Sequence, residues 1–204
     1  MIVIDDFIKD KPLLEEIKNS KSFFSNPGNI VIEPDEKSPN YKRMWWDGWW
    51  NSPADTPKKK LIEYIFRYNP LAQDKSIQDK IKMGAGFEYY TDKIGPDESF
   101  DDLNDHLTHD LVAWDQFQKF TPPMYGCIYF PLDYPVNGGF VSLEPSKEYH
   151  EVLQPIYNRL IMFSTGQINL SVRKVFGGAL NTFNVHLYYE ETESYKQGLT
   201  IKDK

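Results

Sequence analysis

Most of the sequence after residue 82 is divided into short apolar runs by glycine, proline and asparagine, and this pattern restricts the fold more than any other feature. The runs are rich in β-branched and aromatic residues. Runs of this kind predict β-strands, and closely spaced short strands predict an antiparallel barrel or jelly roll. We predict strands within residues 83–90, 125–130, 138–143, 159–163, 169–176 and 181–189.

The first part of the chain has a different pattern. Ile2, Val3 and Ile4 predict a short strand, and residues 12–21 and 57–68 each begin at a proline and carry apolar residues at helical spacing. We therefore predict an α+β fold with an antiparallel barrel or jelly-roll core, an N-terminal strand and flanking helices. A length of 204 residues suits one domain, with support in 1–82, the core in 83–190 and a tail in 191–204.

Charge and composition exclude several classes of partner. The net charge is −7 and no Lys/Arg-rich block occurs, so nucleic acid is not expected. The N-terminal MIVIDDFIKDK fits neither a signal peptide nor a membrane anchor, and a single cysteine cannot form an internal disulfide. We expect a cytoplasmic protein without a membrane partner, which binds a small molecule or a protein and for which a homodimer is one option.

The segment MWWDGWW places Trp45, Trp46, Trp49 and Trp50 within six residues. One interpretation is an aromatic surface for a ring-shaped ligand or a hydrophobic partner. The other is core packing beside a tight Asp-Gly turn. Both interpretations stay open at this point.

The segment DHLTHDLVAW contains residue types that ligate metals, including His106, His109 and Asp110. On a strand the two histidines would lie on opposite faces, whereas on a helix His106 and Asp110 would share a face. His186 lies on the last predicted strand. These residues are candidate ligands.

The order of several segments resembles the iron(II)/2-oxoglutarate-dependent oxygenases, particularly the prolyl-hydroxylase-like group. The segments that carry the resemblance are IDDF followed by a helix, GFEYY, HLTHDLVAW, PPMYGCIYFP, GGFVSL, YNRLIMF and a closing pair of strands. The resemblance implies a double-stranded β-helix that holds iron through two histidines and one carboxylate, with a basic residue for the co-substrate.

Most of the positions that this resemblance assigns carry other residues. His106 matches the proximal ligand, but Thr108 stands where a carboxylate is required, Asn169 or Leu170 where the distal histidine is required, and Leu180 where the arginine is required. Related halogenating enzymes with a small residue at the carboxylate position do bind iron. We therefore predict an oxygenase-like protein that has lost this chemistry, binds neither iron nor 2-oxoglutarate, and acts as a binding or interaction module.

An active iron(II)/2-oxoglutarate dioxygenase, or another metalloenzyme, is the alternative. Its ligands would be reassigned around His106, from among His109, Asp110 and His186, and iron and 2-oxoglutarate would then be cofactors.

Three basic residues and the cysteine complete the candidates. Arg159, Arg173 or Lys174 could hold an acidic ligand, although Arg159 is expected to form a structural ion pair or hydrogen bond. Cys127 lies among apolar residues and is expected to be a small buried side chain rather than a nucleophile.

Overall fold

The computed structural model describes residues 1–20, 23, 44–46, 56–68, 87–96, 117–119, 123, 125–146, 149–164 and 169–187. In this part of the chain, most residues lie in antiparallel strands and few in helices. The elements are β1 (Ile2–Ile4), α1 (Lys11–Asn19), β2 (Met44–Trp46), α2 (Pro57–Tyr68), β3 (Phe87–Ile94), β4 (Tyr125–Tyr129), β5 (Asn137–Gly138), β6 (Val141–Ser146), β7 (Tyr149–Leu153), β8 (Leu160–Ser164), β9 (Asn169–Val172), β10 (Val175–Gly177) and β11 (Leu180–Leu187).

The strands form three sheets. The large sheet has six strands in the order β1-β8-β4-β11-β3-β2, and the small sheet has three in the order β7-β6-β9. A two-stranded ribbon joins β10 to β5. Every strand pair in the described part of the chain is antiparallel, and β11 lies between β3 and β4 near the middle of the large sheet.

Alternation along the central strands sends side chains into two separate cores. On β4, Cys127 and Tyr129 belong to a cluster that includes residues of both helices, whereas Ile128 belongs to a second cluster shared with the small sheet. Strand β8 divides in the same way. The large sheet is therefore covered by helices on one face and by the small sheet on the other.

The helix-facing cluster is the larger of the two. Its buried residues are Phe7, Ile8, Leu13, Ile17, Phe23, Leu61, Ile62, Ile65, Cys127, Tyr129, Leu160, Met162, Phe183 and Val185. The inter-sheet cluster comprises Ile94, Ile128, Phe130, Val141, Leu143, Ile161, Phe163, Val172, Val175 and Leu180.

Local chemistry explains why α1 forms where it does. The Asp10 carboxylate accepts a hydrogen bond from the Leu13 N–H at 3.2 Å, and Pro12 occupies the first turn, where its missing N–H costs nothing. Lys60 of α2 donates to Glu16 of α1 at 2.7 Å, which joins the two helices. Neither helix in the described part of the chain is long and apolar enough to cross a membrane.

A buried asparagine ties the N-terminal segment to the large sheet. The Asn158 side chain accepts a hydrogen bond from the Ile8 N–H at 2.9 Å, donates to the Ile8 carbonyl at 3.1 Å, and accepts from the Tyr129 hydroxyl at 3.0 Å. Its backbone carbonyl accepts from the Phe7 N–H, and its N–H donates to the Phe130 carbonyl. We call these contacts the Asn158 junction.

The Asn158 backbone is in the left-handed region, with φ of 58°. Asparagine adopts this conformation more readily than most L-residues. Asn158 therefore has two roles. Its backbone adopts the left-handed conformation of the turn before β8, and its side chain provides hydrogen bonds to the buried polar groups of the N-terminal segment.

The predicted strands and helices are largely confirmed. Strand β1 and helix α2 have the predicted bounds, and α1 begins and ends within two residues of the prediction. The segment 169–176 forms two strands, β9 and β10, rather than one, because residues 173 and 174 leave the small sheet. Strand β7 was not predicted, since its sequence YHEVL contains two polar residues that favour a loop.

We expect Asn158→Ala to lower the free energy of unfolding by about 2–4 kcal/mol, because it leaves three buried polar groups without their partner and places alanine at positive φ. Asn158→Gly should lose about 1 kcal/mol less, since glycine tolerates this φ. Gln154→Ala is the control, because only the Gln154 backbone carbonyl takes part in the contact with Arg159. Urea unfolding checks all three variants, and equal stability of Asn158→Ala and wild type would contradict the role of this junction.

Candidate functional site

Three polar side chains of β11 lie buried on one face of the large sheet. Thr182, Asn184 and His186 alternate with Phe183 and Val185, which face the helices. Their exposed fractions are 4%, 5% and 2%. We call these three residues the polar row.

The register of the strands places the polar row on the side of the small sheet. Asn184 is opposite Ile128 of β4, and Ile128 belongs to the inter-sheet cluster. Leu180, two residues before Thr182 on the same strand face, belongs to that cluster as well. The polar row thus continues an otherwise apolar interior surface.

Strand β3 brings further polar residues to the same register positions. Asp92 is opposite Thr182, Tyr90 is opposite Asn184, and Glu88 is opposite His186. On the other side of His186, β4 carries Gly126. The row of positions through His186 therefore combines an imidazole, an acidic residue and a glycine.

The polar row has an internal hydrogen bond and mixed donor and acceptor chemistry. The Asn184 amide nitrogen donates to the Thr182 hydroxyl at 3.0 Å. An amide, a hydroxyl and an imidazole can each donate and accept hydrogen bonds. Buried polar groups destabilise a fold unless they are hydrogen-bonded, so three in succession require a structural or functional reason.

The structure places two of the residues that the resemblance assigned to metal and co-substrate. Leu180 is buried within the inter-sheet cluster, and Leu170 is half-buried against the same cluster. Neither side chain has an atom that can ligate a metal or pair with a carboxylate. The residues at these two positions therefore do not fit iron and 2-oxoglutarate.

Most of the other predicted site residues have no described side chains. Those outside the described residues are His106, Thr108, His109, Asp110, Trp49 and Trp50. Asn169 is described only as the first residue of β9, and Trp45 and Trp46 only as residues of β2. The binding surface predicted from the tryptophans stays a prediction.

Trp45 has a register position that connects it to the polar row. It is opposite Glu88, which in turn is opposite His186. Trp46 is opposite Phe87, one residue further along. Successive strand residues belong to opposite sheet faces, so of the two tryptophans that the structure describes, Trp45 shares a row with His186.

Among the residues that the structure describes, no group of three or more histidine, cysteine, aspartate or glutamate side chains is placed to hold a metal ion. His186 is the one alternative ligand from the sequence analysis whose side chain is described.

Arg159 has the structural role that was expected. Its guanidinium donates to both Asp5 carboxylate oxygens, at 2.5 and 3.0 Å, and to the Gln154 carbonyl at 3.1 Å. The hydrogen bond from Arg159 lowers the pKa of Asp5. Arg173 and Lys174 are exposed on the turn between β9 and β10, so neither lies in the inter-sheet interior.

Cys127 is buried within the helix-facing cluster. Burial raises the pKa of its thiol to about 12, which leaves almost none of the nucleophilic thiolate at neutral pH. The prediction of an inert buried side chain is consistent with this environment.

Sequence reasoning missed Thr182 and Asn184. The alternation in LNTFNVHL signals a strand with one polar face, which in an antiparallel sheet is normally turned to solvent. In this fold that face is buried, and Leu180 on the same face belongs to the cluster shared with the small sheet. One signal was available for these residues. It is a strand with one polar face in the middle of two packed sheets, where a polar face is not expected to meet solvent.

Comparison with known proteins gives structural neighbours only. No protein-family model matches the sequence, and no curated protein matches it either. A prolyl-4-hydroxylase from Pseudomonas putida has 14% identity and a TM-score of 0.47, and the match covers 71% of each chain. A 2OG-Fe(II) oxygenase family protein from Burkholderia pseudomallei also has 14% identity and a TM-score of 0.47, over 74% of this chain and 66% of that one.

A viral collagen prolyl hydroxylase from Paramecium bursaria Chlorella virus-1 has 13% identity and a TM-score of 0.48, over 93% of this chain and 96% of that one. These neighbours are prolyl-hydroxylases and a 2OG-Fe(II) oxygenase, the superfamily that the sequence motifs resemble.

The prediction that the chain binds neither iron nor 2-oxoglutarate requires correction. The neighbouring structures include a 2OG-Fe(II) oxygenase family protein and a collagen prolyl hydroxylase in complex with 2OG. The prediction rested on the substitutions at positions 108, 169 or 170, and 180, of which only Leu170 and Leu180 have described side chains. Substitution at a family position does not exclude binding through other residues, so the prediction was wrong to infer an absence.

We expect Cys127 to resist alkylation by iodoacetamide at about pH 8 in the folded protein, because its thiol is buried and its pKa is raised. Mass spectrometry should detect modification only after denaturation in urea. Alkylation of the folded protein at the rate of a free thiol would contradict this environment.

The ion pair between Asp5 and Arg159 should make a small, pH-dependent contribution to stability. The folded-state pKa of Asp5 lies below its usual value of 3.8, so the contribution is present above that pH and is lost as the pH falls through the folded-state pKa. Because Asp5 is largely exposed, we expect Asp5→Asn to cost no more than about 1 kcal/mol at pH 7. Urea unfolding should be measured for wild type and Asp5→Asn from neutral to acidic pH. The difference between their free energies of unfolding should shrink below about pH 4. A difference that stays constant with pH would contradict the ion pair.

Proposed function

We propose that this protein is a ligand-binding protein of jelly-roll architecture, which uses its oxygenase-like fold for recognition rather than for the reaction of that family. The antiparallel large and small sheets, which enclose one shared cluster, support this architecture. The proposed binding site is the interior surface beside the polar row, and not the positions of Leu170 and Leu180.

The observation that carries the proposal is the burial of three successive inward residues of β11 that are all polar. Thr182, Asn184 and His186 are each at least 95% buried, while inward residues of neighbouring β4 and β8 are apolar. Replacing hydrogen-bonded polar partners by apolar groups of the same shape can be nearly neutral, so filling the core does not by itself require polar residues at these positions. Residues that disfavour stability in a core are typical of functional sites.

The chemistry of the polar row defines the class of ligand. An amide, a hydroxyl and an imidazole together recognise a small group that both donates and accepts hydrogen bonds, such as a planar amide. Ile128, opposite Asn184, and Phe163, on β8 next to Gly126, would suit an apolar ring on the same molecule. We therefore propose a small, uncharged ligand with a hydrogen-bonding head and an apolar body.

The test uses the double variant Thr182→Val/Asn184→Leu, with benzamide as the probe. Replacing both partners removes their mutual hydrogen bond without leaving either of these two side chains unsatisfied. A thermal melt of the variant measures whether the fold is retained. The variant should lose benzamide binding by at least about tenfold, a change of about 1.4 kcal/mol, measured by protein-observed NMR titration.

Val152→Ser is the matched control, because Val152 is exposed on β7, away from the large sheet. This variant should keep wild-type benzamide binding. A double variant destabilised by more than about 2 kcal/mol would mean that the polar row is a structural network. That result, or a wild-type protein that does not bind benzamide, would contradict the proposal.

A metal-dependent enzyme is a second candidate, and one observation favours it. His186 is buried in the sheet interior and its register partner is the acidic residue Glu88, so an imidazole and a carboxylate, both metal-ligand types, occupy neighbouring positions. Anaerobic calorimetry with iron(II), followed by 2-oxoglutarate, on wild type and His186→Ala tests this candidate. Iron binding that His186→Ala abolishes would favour the enzyme, and iron binding equal in both proteins would exclude His186 as a ligand.

A further inference from the structure

An asparagine followed by glycine occurs once in the chain, at Asn137 and Gly138. These two residues form β5, which pairs with β10 in the two-stranded ribbon. Asparagine is chemically labile, because the backbone nitrogen of the next residue can attack its side-chain carbonyl carbon. The attack is least obstructed where the next residue is glycine, which has no Cβ atom. The ribbon therefore carries the asparagine with the most reactive successor in this sequence.

The Asn137 side chain has open space around it. It is exposed, and its partner across the ribbon is Gly177, which also lacks a side chain. A Cβ atom at Gly177 would lie 3.8 Å from the Asn137 Cβ, an ordinary contact distance. In the part of the chain that the structure describes, the Asn137 side-chain amide has no hydrogen-bond partner. The amide can therefore rotate towards the Gly138 nitrogen.

The attacking nitrogen is available as well. The Gly139 N–H donates to the Lys174 carbonyl oxygen at 3.1 Å, which makes these two residues a hydrogen-bonded pair. Hydrogen-bonded and non-hydrogen-bonded pairs alternate along an antiparallel ladder, and the next pair joins Gly138 to Val175. The ribbon therefore does not use the Gly138 N–H for its pairing.

Other asparagines whose side chains the structure describes are held by hydrogen bonds. Asn19 is also exposed, but its amide nitrogen donates to the Glu15 carbonyl oxygen at 2.9 Å within α1. Three more are buried and each donates through its amide nitrogen; they are Asn158, Asn181 and Asn184. Exposure, an unrestrained amide and a glycine successor are combined at Asn137.

We propose that Asn137 is a spontaneous modification site, at which the folded protein converts asparagine into aspartate and isoaspartate. The Gly138 nitrogen loses its proton to solvent and forms a bond to the Asn137 Cγ. The bond from Cγ to Nδ2 breaks, and Nδ2 takes up a proton and leaves as ammonia. Water then opens the cyclic imide at either carbonyl and returns a proton to the ring nitrogen. The sequence consumes one water, releases one ammonia and needs no oxidant or reductant.

Isoaspartate should disturb the ribbon, whereas aspartate should not. Isoaspartate adds a methylene group to the backbone before Gly138, where even a Cβ atom would collide with the Lys174 carbonyl oxygen. A Cβ at the next residue, Gly139, would lie 3.3 Å from the Val175 side chain and 3.4 Å from that of Leu180. The longer backbone should displace Gly139 from this end of the inter-sheet cluster and lower the melting temperature by about 2–4 °C. Asn137→Asp, which changes only an exposed side chain, should melt like wild type.

Peptide mapping by mass spectrometry tests the proposal on the full-length protein, incubated at neutral pH and physiological temperature. We expect Asn137 to convert within about tenfold of the rate in a synthetic peptide of residues 134–141, because a short edge ribbon gives little protection. Isoaspartate and aspartate at this position are separated by chromatography. Asn19 and Asn158 should remain asparagine over the same period, and they serve as internal controls.

Two variants test the structural reason for the reactivity. Asn137→Ser should abolish modification of this peptide, because serine has no side-chain amide. Gly177→Val should slow conversion by about threefold, since it places a cross-strand side chain against Asn137. Tyr134→Ser, which changes an exposed residue on the same arm that is not opposite Asn137, should leave the rate unchanged. Thermal melts check that each variant is folded.

Three results would overturn the proposal. The first is an Asn137 that stays intact in the folded protein while the peptide is converted. The second is an Asn19 that converts as fast as Asn137, and the third is a folded Gly177→Val variant that converts at the wild-type rate.

Discussion

The Asn158 junction is the interaction on which the layered arrangement depends. One side chain binds both backbone groups of Ile8 and the hydroxyl of Tyr129, and its own backbone joins Phe7 to Phe130. The segment from Asp5 to Ile8 leads directly into α1, so the junction fixes where the first helix begins relative to β4 and β8. Arg159, the next residue, strengthens the same connection through Asp5. The helical layer and the large sheet are therefore joined at a polar point within an otherwise apolar boundary.

With the helices fixed on one face, the alternation of β11 determines the chemistry of the other. Phe183 and Val185 fill the helix-facing cluster, and the intervening residues must face the small sheet. Leu180 continues the inter-sheet cluster, but Thr182, Asn184 and His186 interrupt it with hydrogen-bonding groups. The same strand therefore supports the fold through one face and provides the proposed binding surface on the other. Recognition by this surface would not require the ligand positions of the oxygenase family.

The sequence predicted the elements of this fold better than it predicted the site. Apolar runs between turn residues are local signals, so β1, β4, β8 and both helices could be read directly, as could the structural role of Arg159. The division of residues 169–176 into β9 and β10 depends on which sheet each half joins, and no local pattern encodes that choice. The polar row was missed for a similar reason, because whether the face with Thr182 and Asn184 meets solvent or a second sheet is decided by residues distant in the chain. The prediction about iron and 2-oxoglutarate failed for a different reason: it inferred an absence from substitutions at single positions.

The central claim is that the polar row contacts a ligand rather than only stabilising the sheets. The most direct measurement follows the imidazole resonances of the four histidines by proton–carbon NMR during a benzamide titration, with His186→Gln used to assign the His186 signal. We expect the His186 signal to shift in proportion to benzamide binding while wild type remains folded throughout. A His186 signal that stays unchanged while other residues respond to benzamide would place the binding surface elsewhere and contradict the claim.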